Sequence, residues 1–290
     1  MNMGTGPVGF IGLGNIGGPM ALTLLRSGHQ VWVYDVRPEA VGPCVAAGAR
    51  AAAAPREIAA ECDLVGVAVL SDAQVEDVVA GEDGLLDAAG PGKVVVVHST
   101  VLPRTVVDLD ERAARAGVGL VDAPVSGGDM AARAGTLTVM AGGRPEDLER
   151  CRPYFTAIGE RVDLVGGVGS GAAMKLALQL MTYCNQLAVL ESTRLAEAYG
   201  IEESKLVDLA TATTADSWII RNWGFFDRLM REHRLAGSDE MYQIFGKDLF
   251  DVVLAAREAG VSLPVAGLSA QALASSFRSR YESLASRDES

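Results

Sequence analysis

Short, largely apolar runs alternate with amphipathic segments over the first 165 residues of the chain. Runs that are apolar at nearly every position are typical of parallel strands covered on both faces. The five main runs are Val8–Gly12, Val31–Asp35, Leu64–Leu70, Val94–Val97 and Gly119–Asp122. Ile16–Arg26, Asp72–Val79 and Pro103–Arg115 are predicted helices, and Thr136–Ala141 and Arg161–Leu164 are two further predicted strands. This alternation predicts an α/β fold with a doubly wound, mostly parallel sheet.

The alternation ends at the glycine-rich segment Gly166–Gly171. The run from about Ala172 to Tyr199 lacks proline and internal glycine, which predicts an unusually long helix. Three more helices are predicted at roughly 203–213, 240–259 and 264–281, with no further strand. We therefore predict two domains: residues 1–166 form the sheet domain, and residues 167–290 form an all-α domain entered through a long interdomain helix.

Composition and charge narrow the possible partners. Of the 290 residues, 49% are hydrophobic and 21% are charged, which is enough apolar material for a well-packed core. The formal net charge of −12 argues against nucleic-acid and anionic-membrane partners, because both need a basic patch. It does not argue against a small anionic substrate, since the local field in a cleft can oppose the net charge. The apolar stretch 166–190 is interrupted by Lys175, Gln179 and Asn185, so we expect no membrane span.

The cysteines and the N-terminus bear on the compartment. The four cysteines are Cys44, Cys62, Cys151 and Cys184, and their spacing fits no zinc site and no disulfide framework. The first ten residues lack the basic region of a signal peptide. We therefore expect a cytoplasmic protein with reduced thiols and no metal.

A glycine-rich turn follows the first predicted strand. Its six residues are Gly12, Leu13, Gly14, Asn15, Ile16 and Gly17. A GxGxxG sequence alone could be any glycine-rich turn, but here it follows an apolar strand and opens a helix, as in a Rossmann dinucleotide-binding unit. Gly12 permits the tight turn, Gly14 lets the backbone approach the pyrophosphate, and Gly17 lets the helix pack on the strand. We expect this turn to bind the cofactor at the helix N-terminus.

The end of the second strand indicates which dinucleotide is bound. Asp35 lies 21 residues after Gly14 and is followed by Val36 and Arg37. A carboxylate at this position accepts hydrogen bonds from the ribose hydroxyls of NAD and repels the 2′-phosphate of NADP. Two alternatives remain: Asp35 could simply start the turn before Pro38, and Arg37 could accommodate a 2′-phosphate. We expect NAD rather than NADP, with all three residues 35–37 binding the cofactor.

The segment DAPVSGG follows the strand that ends at Asp122. It lies at the carboxyl end of the sheet, where open α/β folds bind their ligands. Ser126 offers a hydroxyl, and Gly127 and Gly128 offer unhindered backbone amides, so together they could hold a carboxylate. An ordinary serine-containing loop is an equal alternative.

Lys175 stands in the first turns of the long predicted helix, within GSGAAMKLALQ. Helix stability alone does not favour a cation near the positive end of the helix dipole. Met174 and Leu176 make its surroundings apolar, and partial burial would lower its pKa far enough for a general base. The alternative is a lysine whose aliphatic stem is buried while its ammonium group reaches water. Gln179 follows at i+4 on the same face.

The sequence resembles the β-hydroxyacid dehydrogenase family over about residues 7–280. This family includes 3-hydroxyisobutyrate dehydrogenase and tartronate semialdehyde reductase, which carry a 6-phosphogluconate dehydrogenase-type NAD-binding domain. The resemblance rests on GFIGLGNIGGPMA, VYDVRPEAV, HSTVLP, DAPVSGGDMAARAGTLTVMAGG, GSGAAMK and the late GKDL at Gly246–Leu249. The DAPVSGG segment with its GTLT continuation is the most specific of these motifs.

The resemblance implies hydride transfer between a nicotinamide cofactor and a β-hydroxy acid similar to 3-hydroxyisobutyrate, or its semialdehyde or keto acid. It makes Lys175 the catalytic acid and base, and it assigns Ser126, Gly127 and Gly128 to the substrate carboxylate. The residues that it assigns to the cofactor side are Leu70, Ser71, Thr100 and Lys247, with Asp248 supporting Lys247. Because the long helix of the family mediates dimerisation, it also implies a homodimer or a dimer-based tetramer.

Four positions depart from the family pattern. Asparagines are usual three and four residues after the catalytic lysine, where this chain has Leu178 and Gln179. Gln179 can still bind a substrate hydroxyl, whereas Leu178 cannot. Ser71 replaces a common proline and His98 a common acidic residue. Two alternative functions stay open: an imine reductase on the same scaffold, which Lys175 and Asp35 disfavour, and a non-catalytic dehydrogenase-like binding protein.

Overall fold

The computed structural model describes residues 6–235 and 241–288, with side chains described for residues 6–231 and 245–285. The chain divides into two compact units, Met1–Lys175 and Leu176–Ser290. The first unit contains the sheet, and the described part of the second unit is helical. In the described part of the chain, no helix is both long enough and apolar enough to cross a membrane.

Nine strands form one sheet in the first unit. They are β1 Val8–Ile11, β2 Val31–Tyr34, β3 Arg50–Ala51, β4 Leu64–Val67, β5 Val94–Val97, β6 Gly119–Asp122, β7 Val125–Ser126, β8 Leu137–Gly142 and β9 Gly159–Gly166. Their order is β3-β2-β1-β4-β5-β6-β8-β7, and β9 pairs with β8. Strands β1 to β6 run parallel, β8 is antiparallel to β6 and β7, and β9 is parallel to β8. The predicted doubly wound, mostly parallel sheet is confirmed.

Seven helices of the described chain cover this sheet. They are α1 Gly17–Arg26, α2 Pro38–Ala46, α3 Pro55–Glu61, α4 Asp72–Ala80, α5 Pro103–Arg115, α6 Gly128–Ala134 and α7 Pro145–Ile158. Four of them begin with proline, which suits the first turn because the amide missing there has no intrahelical partner. Successive residues of a strand point to opposite faces, so Phe10 of β1 enters one core cluster and Ile11 enters the other.

The register of the parallel strands brings their carboxyl ends to one edge. Ile11 lies beside Tyr34 on one side and Val67 on the other, and Val97 pairs with both Val67 and Asp122. The residues that follow these strands therefore share that edge, which is where open α/β sheets bind ligands.

The second unit is built around aromatic side chains. Its helices are the continuation of α8 Ser170–Ala198, followed by α9 Glu203–Thr211, α10 Trp218–Arg221, α11 Phe225–Leu235, α12 Met241–Glu258 and α13 Pro264–Asp288. Phe226 packs edge-on against Phe245 and Phe277, with ring centroids 5.1 and 5.5 Å apart. Tyr183 of α8 joins the same cluster, 5.5 Å from Phe245. The predicted long helix is confirmed within two residues at each end.

Two differences from the predicted elements have local causes. The run Leu64–Leu70 leaves the sheet after Val67, because the amides of Val69 and Leu70 bond to Ser99 Oγ and Gln74 Oε1 instead of a strand. The second difference is strand β7, which pairs Val125 with Val139 and Ser126 with Thr138 in a segment where the sequence predicted no strand.

Candidate active site

The glycine-rich turn lies between β1 and α1. Gly12 has φ +87°, and a Cβ there or at Gly17 would clash with a backbone carbonyl oxygen, of Ala68 and Gly12 respectively. Gly14 differs, since nothing lies within 4 Å of the place where its Cβ would be. The turn is thus closed towards the protein and open at Gly14, which fits the approach of a dinucleotide pyrophosphate.

Asp35 is tied to the same turn. Its Oδ2 accepts a 2.7 Å hydrogen bond from the Leu13 amide, and its Oδ1 accepts one of 2.9 Å from the Arg37 amide. The Arg37 Nε also lies 3.2 Å from Oδ1. Burial alone would raise the pKa of Asp35, but the bonds from Arg37 and Leu13 outweigh it and hold that pKa below its usual value. Asp35 is therefore an anion at neutral pH, paired with Arg37, while Val36 projects into solvent.

The end of β6 and the start of α8 are joined by Asp122. This carboxylate is 1% exposed, and its Oδ1 and Oδ2 accept hydrogen bonds of 2.9 and 2.8 Å from the amides of Gly169 and Ala172. Burial raises the pKa of Asp122 to about 6, against the opposite effect of the amide donors. The first turn of α8, which leads to Lys175, is thus fixed to the edge of the sheet.

Lys175 and the predicted carboxylate-binding residues meet at this edge. The Lys175 Nζ donates a 2.9 Å hydrogen bond to the carbonyl oxygen of Val125, the residue before Ser126. Ser126 is exposed, and the glycines after it have φ of +131° and +70°, a region that side chains other than glycine rarely adopt. The structure therefore brings a lysine amine, an exposed serine and an unhindered stretch of backbone into one neighbourhood.

Behind this edge lies a buried histidine that has no role in the sequence prediction. The ring of His98, just after β5, makes a 2.6 Å hydrogen bond through Nδ1 to the carbonyl oxygen of Ala123 and a 2.7 Å bond through Nε2 to the Tyr154 hydroxyl. A carbonyl only accepts, so Nδ1 carries the proton and Nε2 accepts from Tyr154. Burial lowers the pKa of His98 to about 4, which keeps the ring neutral at pH 7.

The remaining residues predicted on the cofactor side follow β4 and β5. Ser71 accepts a hydrogen bond from the Gln74 amide and so caps α4, while Leu70 is 63% exposed. Thr100 is half-buried, two residues after His98. All three follow the carboxyl ends of β4 and β5.

The helical unit contains a second group of candidate residues. Gln179 Nε2 donates to Asp248 Oδ2 at 2.7 Å and to the Tyr183 hydroxyl at 3.0 Å, and that hydroxyl lies 3.1 Å from the same carboxylate oxygen. Lys247 Nζ lies 2.7 Å from Asp251 Oδ2 and 3.2 Å from Asp248 Oδ1, although the latter contact lacks hydrogen-bond geometry. Both amide hydrogens of Gln179 are thus used within this unit.

These carboxylates also set the charge of Lys247. Burial would lower its pKa, but Asp248 and Asp251 raise it above the usual value, so Lys247 is a cation at neutral pH. Tyr183 and Asp251 were not among the predicted site residues. The signal was available, since each lies four residues after a predicted one, Gln179 and Lys247, on the same helical face.

Comparison with known proteins gives the family. One family model, the NAD binding domain of 6-phosphogluconate dehydrogenase, matches residues 7–167, and a second, NAD-binding of NADP-dependent 3-hydroxyisobutyrate dehydrogenase, matches residues 169–289. The chain belongs to the β-hydroxyacid dehydrogenase family. It is therefore an oxidoreductase with an NAD(P)-binding Rossmann domain, as the sequence resemblance implied.

Individual family members show how far the likeness extends. An NAD-dependent L-serine dehydrogenase of Pseudomonas aeruginosa is 34% identical over 266 residues, which are 90% of this chain and 89% of that protein. An uncharacterised oxidoreductase of Mycobacterium tuberculosis is 43% identical over 195 residues, 67% of this chain and 66% of that protein. A solved structure of a Mycobacterium tuberculosis 3-hydroxyisobutyrate dehydrogenase with L-serine has a TM-score of 0.81 at 26% identity and covers 94% of both chains. Membership leaves the choice of NAD or NADP to the residues of this chain.

Proposed function

We propose that this protein oxidises a β-hydroxy acid with NAD⁺, or reduces the product with NADH, using Lys175 as general base and acid. The observation that supports this most strongly is the hydrogen bond from Lys175 Nζ to the Val125 carbonyl, next to Ser126. It puts an amine beside the segment proposed to hold the substrate carboxylate. A bound nicotinamide dinucleotide would supply the chemistry of accepting or releasing a hydride.

The chain's own residues then have separate tasks. The Ser126 hydroxyl and the amides of Gly127 and Gly128 bind the carboxylate and orient the β-carbon. Neutral Lys175 takes the proton of the substrate hydroxyl as the hydride leaves the carbon that bears this hydroxyl. In the reverse direction the ammonium form donates that proton to the carbonyl oxygen.

The preference for NAD follows from the pairing of Asp35 with Arg37. An anionic Asp35 accepts hydrogen bonds from ribose hydroxyls and repels a 2′-phosphate. Arg37, the group that could attract that phosphate, is already engaged by the Asp35 carboxylate. NADP would therefore have to break an existing ion pair before gaining one of its own.

The substrate class is a small β-hydroxy acid with a free carboxylate. L-Serine is itself a β-hydroxy acid, one relative is named as an L-serine dehydrogenase, and one similar structure was solved with L-serine. It is therefore a reasonable first compound to test. A methyl ester of any good substrate should react much more slowly, because it lacks the charge that Ser126 and the glycine amides are proposed to bind.

In the helical unit, we assign Lys247 to the cofactor and Asp248 to its support. Gln179 remains a substrate-binding candidate through its carbonyl oxygen, because its amide hydrogens are bound by Asp248 and Tyr183. That oxygen accepts hydrogen bonds only, so it would favour a substrate with a second donor, such as an amine. Glutamine at 179 thus supports a substrate other than hydroxyisobutyrate.

We also propose a homodimer or a dimer-based tetramer. Large apolar side chains are exposed in the helical unit, among them Leu195, Val265 and Leu268 at 61–69% exposure. Light scattering coupled to size exclusion measures the assembly directly, and a monomer at micromolar concentration would contradict the proposal.

The experiment that tests the function is a screen of the purified protein. β-Hydroxy acids, including L-serine, are supplied with NAD⁺ or NADP⁺, and cyclic imines with NADH or NADPH, while the absorbance of the reduced cofactor is followed. Turnover of hydroxy acids with NAD⁺ is the expected result. Turnover of imines alone would favour an imine reductase, and no turnover with any compound would favour a binding protein.

A further inference from the structure

Asp122 does more than end strand β6. Its two carboxylate oxygens accept the amides of Gly169 and Ala172, three residues apart at the start of α8. A single acceptor would fix one point of the helix, whereas two oxygens on two amides fix both its position and its rotation about its axis. Burying this charge costs free energy, and the amide bonds offset that cost only where the geometry is good.

Backbone contacts show how closely α8 approaches the sheet here. A Cβ on Gly171 would clash with the carbonyl oxygen of Asp122 and lie 2.5 Å from that of Met140. A Cβ on Gly142, which pairs with Asp122 in the sheet, would lie 2.8 Å from Asp122 Oδ1. The first turn of α8 therefore lies directly on the ends of β6 and β8, with Asp122 between them.

Residues 122–126 hold both the backbone of Lys175 and its side-chain amine. Its backbone follows Ala172 by three residues, so the bond from Ala172 to Asp122 sets where the lysine begins. Its Nζ donates to Val125, three residues after Asp122 along the chain. Ser126 comes next, so residues 122–126 relate the amine to the proposed carboxylate-binding hydroxyl.

We propose that Asp122 is a positioning residue for Lys175, fixing the first turn of α8 so that the amine meets the substrate hydroxyl. The proposal rests on the role given to Lys175 above. Asp122 is 1% exposed, so we expect it to touch neither substrate nor cofactor. It acts through the lysine, and a shift of about 1 Å at such a group can cost on the order of 10²-fold in rate.

A double-mutant cycle in kcat tests this directly, with Asp122→Asn, Lys175→Ala and the pair combined. Asparagine has the shape of aspartate but turns one acceptor into a donor that faces an amide. In the enzyme with Lys175, we expect Asp122→Asn to lower kcat by about 10- to 100-fold, since misplacement of this order carries such a cost. In the Lys175→Ala background it should change kcat by less than about twofold, because a residue that acts through lysine has no further effect once lysine is gone.

The cycle separates the possible failures. Equal losses from Asp122→Asn in both backgrounds would mean that the carboxylate acts independently of Lys175, and the positioning role would be wrong while the proposed function stood. No loss in either background would also overturn it. A Lys175→Ala enzyme with near-normal kcat would overturn the proposed mechanism and this inference together.

Two further variants guard against a trivial effect on folding. Asp122→Ser replaces the carboxylate with a hydroxyl, whose single oxygen cannot hold both amides as the two carboxylate oxygens do. If Asp122→Asn does not fold, Asp122→Ser takes its place in the same cycle with the same expected pattern. Leu109→Ala, in the buried face of α5, is a control that lowers Tm while leaving the Asp122 carboxylate and Lys175 unchanged, and it should keep kcat. NADH binding by fluorescence titration should stay near normal in all folded variants.

Discussion

The two groups of candidate residues are held in place by different means. At the sheet edge, Asp122 and Lys175 bond to the backbone, to the amides of Gly169 and Ala172 and the carbonyl of Val125. In the helical unit, the corresponding bonds run between side chains: from Gln179 and Tyr183 of α8 to Asp248 of α12, and from Lys247 to Asp251 within α12. Backbone partners cannot rotate away, so we expect rate constants to depend on the first group and substrate or cofactor binding, together with stability, on the second.

Lys175→Ala should lower kcat more than any of the other substitutions. A smaller loss would remove the contrast between the sheet edge and the helical unit. Removal of a general base typically costs about 10²–10⁴-fold in rate, so kcat should fall on that scale. Lys175→Arg should restore little, because arginine remains protonated at working pH. Lys205→Ala, at an exposed lysine of α9, is a matched control that should keep full activity. Steady-state kinetics measures all three.

Lys247→Ala provides the contrast from the helical unit. It should raise the KM for the cofactor while changing kcat less than Lys175→Ala does, since Lys247 is proposed to bind rather than transfer a proton. A kcat loss as large as that of Lys175→Ala, with unchanged KM, would remove the distinction between the two groups.

The pH dependence of the unfolding free energy reports on two buried groups at the sheet edge, Asp122 and His98. The pKa of Asp122 rises from 3.8 to about 6 on folding, so the folded state binds the extra proton and acidification from pH 6 towards 3.8 stabilises it. The pKa of His98 falls from 6.5 to about 4, so acidification from pH 6.5 towards 4 destabilises the fold. These two effects oppose each other in the native protein.

Asp122→Asn should leave the destabilising effect of His98 at low pH unopposed. Between pH 7 and 4 the variant should lose stability relative to the native protein, by up to about 3 kcal/mol if the full shift is expressed. Urea unfolding at several pH values measures this difference, in which the other carboxylates cancel. A stability difference that does not vary with pH would show that Asp122 is not a buried carboxylate with a raised pKa.

Asp35→Ser tests which residue governs the choice between NAD⁺ and NADP⁺. It removes the charge that repels a 2′-phosphate and releases Arg37, so the ratio of kcat/KM for NADP⁺ to that for NAD⁺ should rise by about tenfold or more, the scale of one charge-assisted hydrogen bond. Asp35→Ser combined with Arg37→Ala should lose much of this gain. If the native enzyme already prefers NADP⁺, Arg37 rather than Asp35 governs the choice.

Tyr183→Phe should give the smallest effect and report on the helical unit. It removes the hydroxyl that accepts from Gln179 and donates to Asp248, and the loss of these two hydrogen bonds, at about 1 kcal/mol each, should lower the unfolding free energy by about 2 kcal/mol. Thermal unfolding measures this loss, and kcat should remain close to normal. A loss of kcat without loss of Tm would place Tyr183 in the chemistry.

The sequence predicted the parts of the molecule that local pattern determines. Continuous apolar runs indicated the strands, and the absence of breakers indicated α8. Strand β7 has only two residues and forms through its pairing with β8, so no periodicity could indicate it. The roles of His98 and Asp122 depend on partners 25 to 56 residues away in sequence, Ala123, Tyr154, Gly169 and Ala172, which only the fold brings near. The sequence could equally not predict that Asp248 and Tyr183 accept both amide hydrogens of Gln179.

The most direct test of the proposed function follows the hydride itself. The purified enzyme is incubated with NAD⁺ and β-hydroxy acids that carry deuterium on the carbinol carbon, L-serine among them, and the reduced cofactor is analysed by mass spectrometry. We predict deuterium in the reduced cofactor formed from at least one such acid, and far slower labelling with the Lys175→Ala enzyme. Unlabelled reduced cofactor, or equal labelling rates for both enzymes, would contradict the proposal.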